Sequence, residues 1–306
     1  MRNVFLNPEL EVKFQKDGYV RVPFISKEEV EELKQLFFDS LPSSGGQITA
    51  GETGVQNSNA ITYDFTFIDK NPDYKRKVFD IITKRFKVAT DAILDNYKPI
   101  IANYIRKQTE TGEVPLHQNW AFANDRKCST ISIWCPLVDS TVENGTLQVV
   151  PGSHKRFGEV RGPMVPWELD AIKKEIIERH LIPLETTAGE CVILDDSIVH
   201  YSAVNKTNDL RLAIQLICIP AEMPSWHYNM DSSVSSNEVN ILEVDVDFYF
   251  EFNPWKKPEN FRKVKTIPYL HRAINEQEFM DRLNRPGFDT EKKTGFFAKI
   301  KELLKD

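Results

Sequence analysis

The chain has 306 residues, 41% of them hydrophobic and 27% charged, a balance that excludes global disorder and suits one core with insertions. A formal net charge of −6 offers nucleic acid little attraction. The Lys/Arg clusters at 256–265 and 292–305 are interleaved with acidic residues and read as solvated faces. No apolar run reaches the ~18 residues of a membrane span, and the first residues lack a signal peptide's apolar stretch. Cys128, Cys135, Cys191 and Cys218 lie in or beside strand-like segments without C-x-x-C spacing, so reduced, buried thiols in a cytoplasmic protein are expected.

Ser26-Lys27-Glu28-Glu29 is a capping box followed by Val30, Leu33, Leu36 and Phe37 at helical spacing, which predicts a helix over 27–40. The stretch 42–59 is rich in Gly, Ser and Asn, and a loop of that length predicts a lid or binding loop. A second helix is expected over 73–96, on Tyr74, Val78, Ile81, Ile82, Ala89, Ile93 and Leu94. Beyond residue 100 come short β-rich runs at 101–107, 130–137, 146–150, 191–194 and 212–219, punctuated by Gly, Pro and Asn. They predict a sandwich or barrel, interrupted by a helical insertion over 167–179. The stretch 244–252 alternates apolar and mostly charged residues and predicts a half-buried strand closing an edge of the main sheet. With no internal repeat or linker, one domain over 1–306 is expected: a helical flank over 1–98, a β core over 99–222 and an extension over 223–306.

Two of the six histidines stand in ligand-like contexts. In Pro115-Leu116-His117-Gln118-Asn119-Trp120, residues i and i+2 of a strand share a face, so His117 and Asn119 would aim together into a barrel mouth. His200 follows the run 191–194 and joins them only if the two strands are neighbours, as closure of a jelly roll would arrange. Two histidines and one oxygen donor on one face of an octahedron leave three open positions, the pattern of non-haem iron(II) oxygenases. Taken alone, a histidine is more often a hydrogen-bonded structural residue. Arg211 opens an apolar strand, where a guanidinium is costly to bury without an anion. The distal carboxylate of a 2-oxo acid would match it in bidentate fashion; an exposed arginine paired with Asp or Glu is the alternative.

Four blocks carry a resemblance, in this order: His117-Gln118-Asn119-Trp120; Ser132-Ile133-Trp134-Cys135-Pro136-Leu137-Val138-Asp139; Glu143-Asn144-Gly145-Thr146-Leu147-Gln148-Val149-Val150-Pro151-Gly152-Ser153-His154; and His200 with Arg211. Together they resemble the phytanoyl-CoA dioxygenase family of iron(II)/2-oxoglutarate-dependent oxygenases. The similarity spans about 100–220, with an echo at Phe14-x-x-x-Gly18-Tyr19-Val20. It implies a mainly β fold with flanking helices, a double-stranded β-helix (jelly roll, cupin-like). It also implies His117, residue 119 and His200 as iron ligands, Arg211 as the 2-oxoglutarate anchor, and Trp134, Ser202 and Lys107 as further co-substrate neighbours. His154 is expected to serve its tight turn rather than a metal.

The family places Asp where this chain has Asn119, so the site loses one negative charge. Asn119 would ligate as a neutral donor, step aside to leave a halogenase-like open position, or mark a degenerate site. Neither Asp125 nor Asp139 is an obvious substitute, and Asn119→Asp is expected to tighten iron(II) binding by about 1–3 kcal/mol. The expected activity is iron(II)- and 2-oxoglutarate-dependent oxidation of an unactivated C–H bond in a small organic substrate, using dioxygen. A catalytically silent binding protein is the alternative from another class; two histidines and an amide make a poor zinc set for a hydrolase. Substrate choice is expected to lie with 42–59 and 223–240.

Overall fold

The computed structural model describes residues 2–40, 64–253, 258–259 and 261–285, so the lid expected at 42–59 lies outside the described residues. Helix α1 (Pro8–Asp17) starts where the Asn7 side chain accepts from the Glu9 and Leu10 amides, with proline in its first turn. It stops at Gly18, whose φ of +81° is left-handed, and the chain turns directly into strand β1 (Tyr19–Pro23). Helix α2 (Lys27–Ser40) has the predicted capping box: the Glu29 amide donates to Ser26 Oγ at 3.2 Å and the Ser26 amide to Glu29 Oε2 at 2.8 Å. After β2 (Asp64–Phe65), Asn71 caps helix α3 (Pro72–Ile93). This helix ends short of the predicted 96 because Asn96 turns left-handed, φ +53°, and β3 (Tyr97–Lys107) begins.

The β core continues through β4 (Val114–His117), β5 (Ile131–Pro136) and β6 (Leu147–Val149). Of the insertion expected over 167–179, only Asp170–Ile172, as a 3-10 turn, and helix α4 (Lys173–Arg179) are helical. Strands β7 (Ile182–Pro183), β8 (Glu190–Asp195), β9 (His200–Ser202) and β10 (Arg211–Pro220) complete two antiparallel sheets. Their orders are β1-β8-β5-β10-β3-β2 and β4-β9-β6-β7. Both edges of the large sheet, β1 and β2, therefore come from the segment expected to be a helical flank.

Side chains alternate across a strand, and this sorts the large sheet into two faces. Ile131, Ile133, Leu212, Ile214 and Leu216 turn outward onto Leu33, Val78 and Phe86 of the helices. Trp134, Val192, Leu194 and Ala213 turn inward to meet Leu147 and Val149 of the small sheet. Each such buried aliphatic stabilises the fold by roughly 1.5–3 kcal/mol relative to exposure. Two sheets face to face with helices on one outer side form the jelly roll.

A third sheet, β11 (Ser225–Asn229), β12 (Glu238–Val244) and β13 (Arg262–Pro268), follows, and helix α6 (Glu276–Leu283) comes last among the described elements. The strand expected over 244–252 is not formed. Val244 ends β12 and the next residues are helix α5 (Val246–Glu251), started by Asp245 accepting from the Phe248 amide at 2.9 Å. Alternation misled because aromatic residues occupy two sides of the helix. Phe248, Tyr249 and Phe252 join Phe67 and Phe122, while Phe250 packs edge-on against Phe79.

Candidate metal centre

Pairing of β4 with β9 sets His117 directly opposite His200, with ring centroids 4.1 Å apart. Both rings are fixed by the same device, the carbonyl two residues back: His117 Nδ1 lies 2.7 Å from Pro115 O, and His200 Nδ1 lies 2.9 Å from Ile198 O. With Nδ1–H donating there, each Nε2 keeps its lone pair for a metal. Burial lowers the basicity of both imidazoles, His200 far below the ordinary value, which holds them in the neutral, ligating form.

The motifs around them work as braces. Ser153 of the Pro-Gly-Ser-His turn accepts from the Val199 amide at 2.9 Å, fixing the backbone just ahead of His200. Gln118 ties the two histidine segments together, donating to Ser197 O at 2.5 Å while accepting from Trp167 Nε1 at 2.8 Å. In the sequence Gln118 reads only as a spacer between two ligands. His154 packs against Phe14 and Gly18, where a Cβ would come within 2.5 Å of its Nδ1.

Asn119 is held from one end. Its Nδ2 donates to Asp196 Oδ1 at 2.9 Å and to Ser132 Oγ at 3.0 Å, and Ser132 Oγ donates to the same carboxylate oxygen at 2.6 Å. A carboxylate only accepts, so the amide nitrogen stays on Asp196 and the carbonyl oxygen is the end left for the cavity that His117 and His200 also line. Asp196 is fully buried; burial pushes its carboxyl up to about 6, against the opposing hydrogen bonds from Ser132 and Asn119. Its neighbour Asp195 is also buried, yet Lys155 and His154 hold it down at about 2, in a separate structural cluster. Asp125 pairs with Arg161 at 2.7 Å and Asp139 accepts from the Ala188 amide, so neither substitutes at the metal. Among the described residues no third His, Cys, Asp or Glu joins the histidine pair.

Arg211 is 2% exposed. Its Nη2 donates to Ser202 Oγ at 3.1 Å and Gly145 O at 3.3 Å, while Nε and Nη1 have no partner. Its guanidinium carbon stands 5.6 Å from the Trp134 ring centre, and burial pushes the group down to about 9. The alternative of an exposed arginine paired with an acid is thereby set aside. Lys107, also buried, lies behind Ser202 rather than on the cavity wall, with Nζ donating to Ala203 O at 2.6 Å and Ser202 O at 3.2 Å. Burial, then the nearby Arg211 charge, push it down to about 6. Gly145 permits this crowding: at φ +76°, a Cβ would come 2.1 Å from Ala203 O and 3.0 Å from Lys107 Nζ. Two buried basic groups, neither hydrogen-bonded to a carboxylate, suit one end of a dianion, which would favour the charged form of Lys107.

One cavity of about 410 Å³ is lined by His117, Asn119, His200, Trp134, Ser202 and Arg211. Its remaining wall is largely apolar, with Phe65, Phe67, Ile68, Trp120, Phe122 and Ile217. The segment 223–240, expected to shape substrate choice, contributes nothing to this wall; Pro163 and Met164 do instead. Two imidazoles with free Nε2 atoms, an amide oxygen and an unpaired guanidinium fit iron(II) and a 2-oxo diacid.

A family model described as phytanoyl-CoA dioxygenase (PhyH) matches residues 14–213. The phytanoyl-CoA dioxygenase domain-containing protein 1 homolog of Dictyostelium discoideum is 31% identical over 164 residues, covering 48% of this chain and 55% of that protein. Phytanoyl-CoA dioxygenase 1 of Oryza sativa subsp. japonica is 32% identical over 128 residues, covering 40% and 45% respectively. The chain thus spans about half the length of the curated relatives it matches. Among solved structures, the non-haem alpha-ketoglutarate-dependent carbocyclase SnoK from nogalamycin biosynthesis superposes with a TM-score of 0.52 at 20% identity, covering 72% of this chain and 86% of that one. The epimerase SnoN, in complex with Fe3+, alpha-ketoglutarate and nogalamycin RO, gives 0.51 at 21% identity, with 71% and 85% covered. At such identities the likeness is one of fold, and it agrees with the two-sheet jelly roll. Because the family model matches well over half of its residues, the chain belongs to the phytanoyl-CoA dioxygenase family.

Proposed function

We propose that this chain is an iron(II)- and 2-oxoglutarate-dependent oxygenase that oxidises an unactivated C–H bond of a small organic substrate. The observation that carries this reading is a single cavity in which two imidazoles with free Nε2 atoms share the wall with a buried guanidinium whose Nε and Nη1 have no partner. His117 Nε2, His200 Nε2 and the Asn119 carbonyl oxygen would hold the iron. Arg211 and Ser202 would hold the distal carboxylate of 2-oxoglutarate, with Lys107 adding charge from behind and Trp134 fixing the guanidinium plane. When bound, the iron supplies activation of dioxygen, with 2-oxoglutarate oxidised to succinate and carbon dioxide as a substrate C–H becomes C–OH.

The chain's own residues position the reactants and keep water out. The aromatic wall of Phe65, Phe67, Trp120 and Phe122 shields the metal side from solvent and presents an apolar surface to the substrate. Among the described residues no carboxylate or ammonium lines the cavity, so an uncharged apolar group is the part of the substrate it would enclose. No helix among the described residues is long and apolar enough to cross a membrane, and the four unpaired, buried thiols support a reducing compartment such as the cytoplasm.

The test is release of carbon dioxide from 2-oxoglutarate by the iron-loaded protein, offered a panel of small apolar substrates. Release that needs iron and is lost in His200→Ala is the expected result. Equal release from wild type and His200→Ala overturns the proposal. Tight ligand binding without any release favours the silent binding protein.

A further inference from the structure

We infer that Asp196 is a positioning residue for the metal: it turns the Asn119 carbonyl oxygen toward the two histidines and holds, one hydrogen bond away, the negative charge that a carboxylate at 119 would have brought into direct contact. This rests on the iron-site reading above. The support is a row of polar side chains crossing the inner face of the large sheet. Asn103 Nδ2 donates to Gln215 Oε1 at 3.2 Å, and Gln215 Nε2 donates to Ser132 Oγ at 3.3 Å. Ser132, having accepted from Gln215 and Asn119, has one proton to give, and it goes to Asp196. The row therefore has a direction and ends on the carboxylate.

That direction leaves Asn119 one orientation. Rotating its amide by half a turn would set a carbonyl oxygen 2.9 Å from the Asp196 oxygen, two acceptors with no proton between them. An amide at 119 bonded to a carboxylate at 196 is the inverse of a carboxylate at 119 bonded to an amide at 196. Net charge is the same, and one N–H···O contact joins the pair in either case. The consequence reverses the expectation drawn from sequence alone. Asn119→Asp by itself would press two carboxylates together at contact distance, where both cannot be ionised without strong repulsion, so it does not deliver the gain expected of a better ligand.

The experiment is an anaerobic titration with iron(II), repeated with cobalt(II) as a redox-inert stand-in. It compares wild type, Asp196→Asn, Asn119→Asp, the double exchange Asn119→Asp/Asp196→Asn, and His200→Ala. Asp196→Asn is expected to weaken metal binding by about 10–100-fold, the usual effect of losing an outer-shell partner. Asn119→Asp should bind no more tightly than wild type, and the double exchange should recover wild-type affinity or better. Recovery by exchange is a result that a merely structural role for Asp196 would not give. Should Asp196→Asn fail to fold, Ser132→Ala, which leaves one Asn119 N–H unpaired, is expected to weaken the metal several-fold. Affinity within twofold of wild type in whichever of these two variants folds, or Asn119→Asp alone binding more tightly than the double exchange, overturns the inference. Wild type binding no better than His200→Ala overturns the metal reading itself, and the inference with it.

Discussion

The two faces of the large sheet carry opposite kinds of side chain along the same strands. On β10, Leu212, Ile214 and Leu216 turn outward into the helix-covered core, while Arg211 and Gln215 turn inward to the cavity. On β5, Ile131 and Ile133 face out, and Ser132 and Trp134 face in. One face is dry and apolar; the other carries a buried guanidinium, a buried carboxylate and a directed row of amides and hydroxyls. Adjacent residues here answer to different demands: the outward set holds the fold, and the inward set, on the proposed function, would hold charge in place for ligands. The inward set is a local cost in stability, tolerable because the outward face is so completely packed.

Substitutions on either face should break or sharpen this division. Ile214→Ala, on the outward face, is expected to lower unfolding stability by about 2–5 kcal/mol, since it empties a fully packed position. Metal and 2-oxoglutarate affinities of the folded fraction should be unchanged; urea unfolding and calorimetry check both. Arg211→Ala, three residues away and facing inward, is expected to weaken 2-oxoglutarate by roughly 1.5–3 kcal/mol while metal affinity holds. Its thermal midpoint should hold or rise, because a buried guanidinium without a counter-ion, two of its nitrogens unpartnered, is removed. An unchanged 2-oxoglutarate affinity would erase the functional half of the comparison.

The smallest effect concerns pH. In the free protein, burial and then Arg211 hold the Lys107 ammonium at about 6. A dianion beside it favours the charged form and raises that value, so binding takes up a proton above about pH 6. Affinity for 2-oxoglutarate should therefore fall as pH rises through that window, by less than ~1.4 kcal/mol per pH unit, the limit for one proton. Calorimetry in buffers of different ionisation enthalpy reads the uptake directly, and Lys107→Met should flatten the slope. A rise in affinity with pH would contradict the arrangement.

Much of this was legible in the sequence, for reasons that are local. The Ser26 capping box, the β-rich runs and the ordered motifs around His117, Gly145, His200 and Arg211 each depend on residues close in the chain. What escaped depends on contacts between distant segments. Asp196 lies 77 residues from Asn119, and the two meet because β4, which leads into Asn119, pairs with β9, which follows Asp196. The aromatic alternation of 244–252 fits a strand or a two-sided helix equally, and the Asp245 cap decides for the helix. Phe65 and Phe67 reach the cavity because β2 pairs with β3, a pairing no short-range pattern announces.

A crystal structure grown without oxygen, with iron(II) and 2-oxoglutarate, is the most direct test of how the two histidines and Asn119 hold the metal. One metal is expected, with His117 Nε2, His200 Nε2 and Asn119 Oδ1 within about 2.0–2.4 Å. The Asn119 amide nitrogen should stay on Asp196, and the distal carboxylate of 2-oxoglutarate should lie on Arg211. A metal bound between the histidines with Asn119 turned away, or with Asp196 itself as the third ligand, would contradict this arrangement.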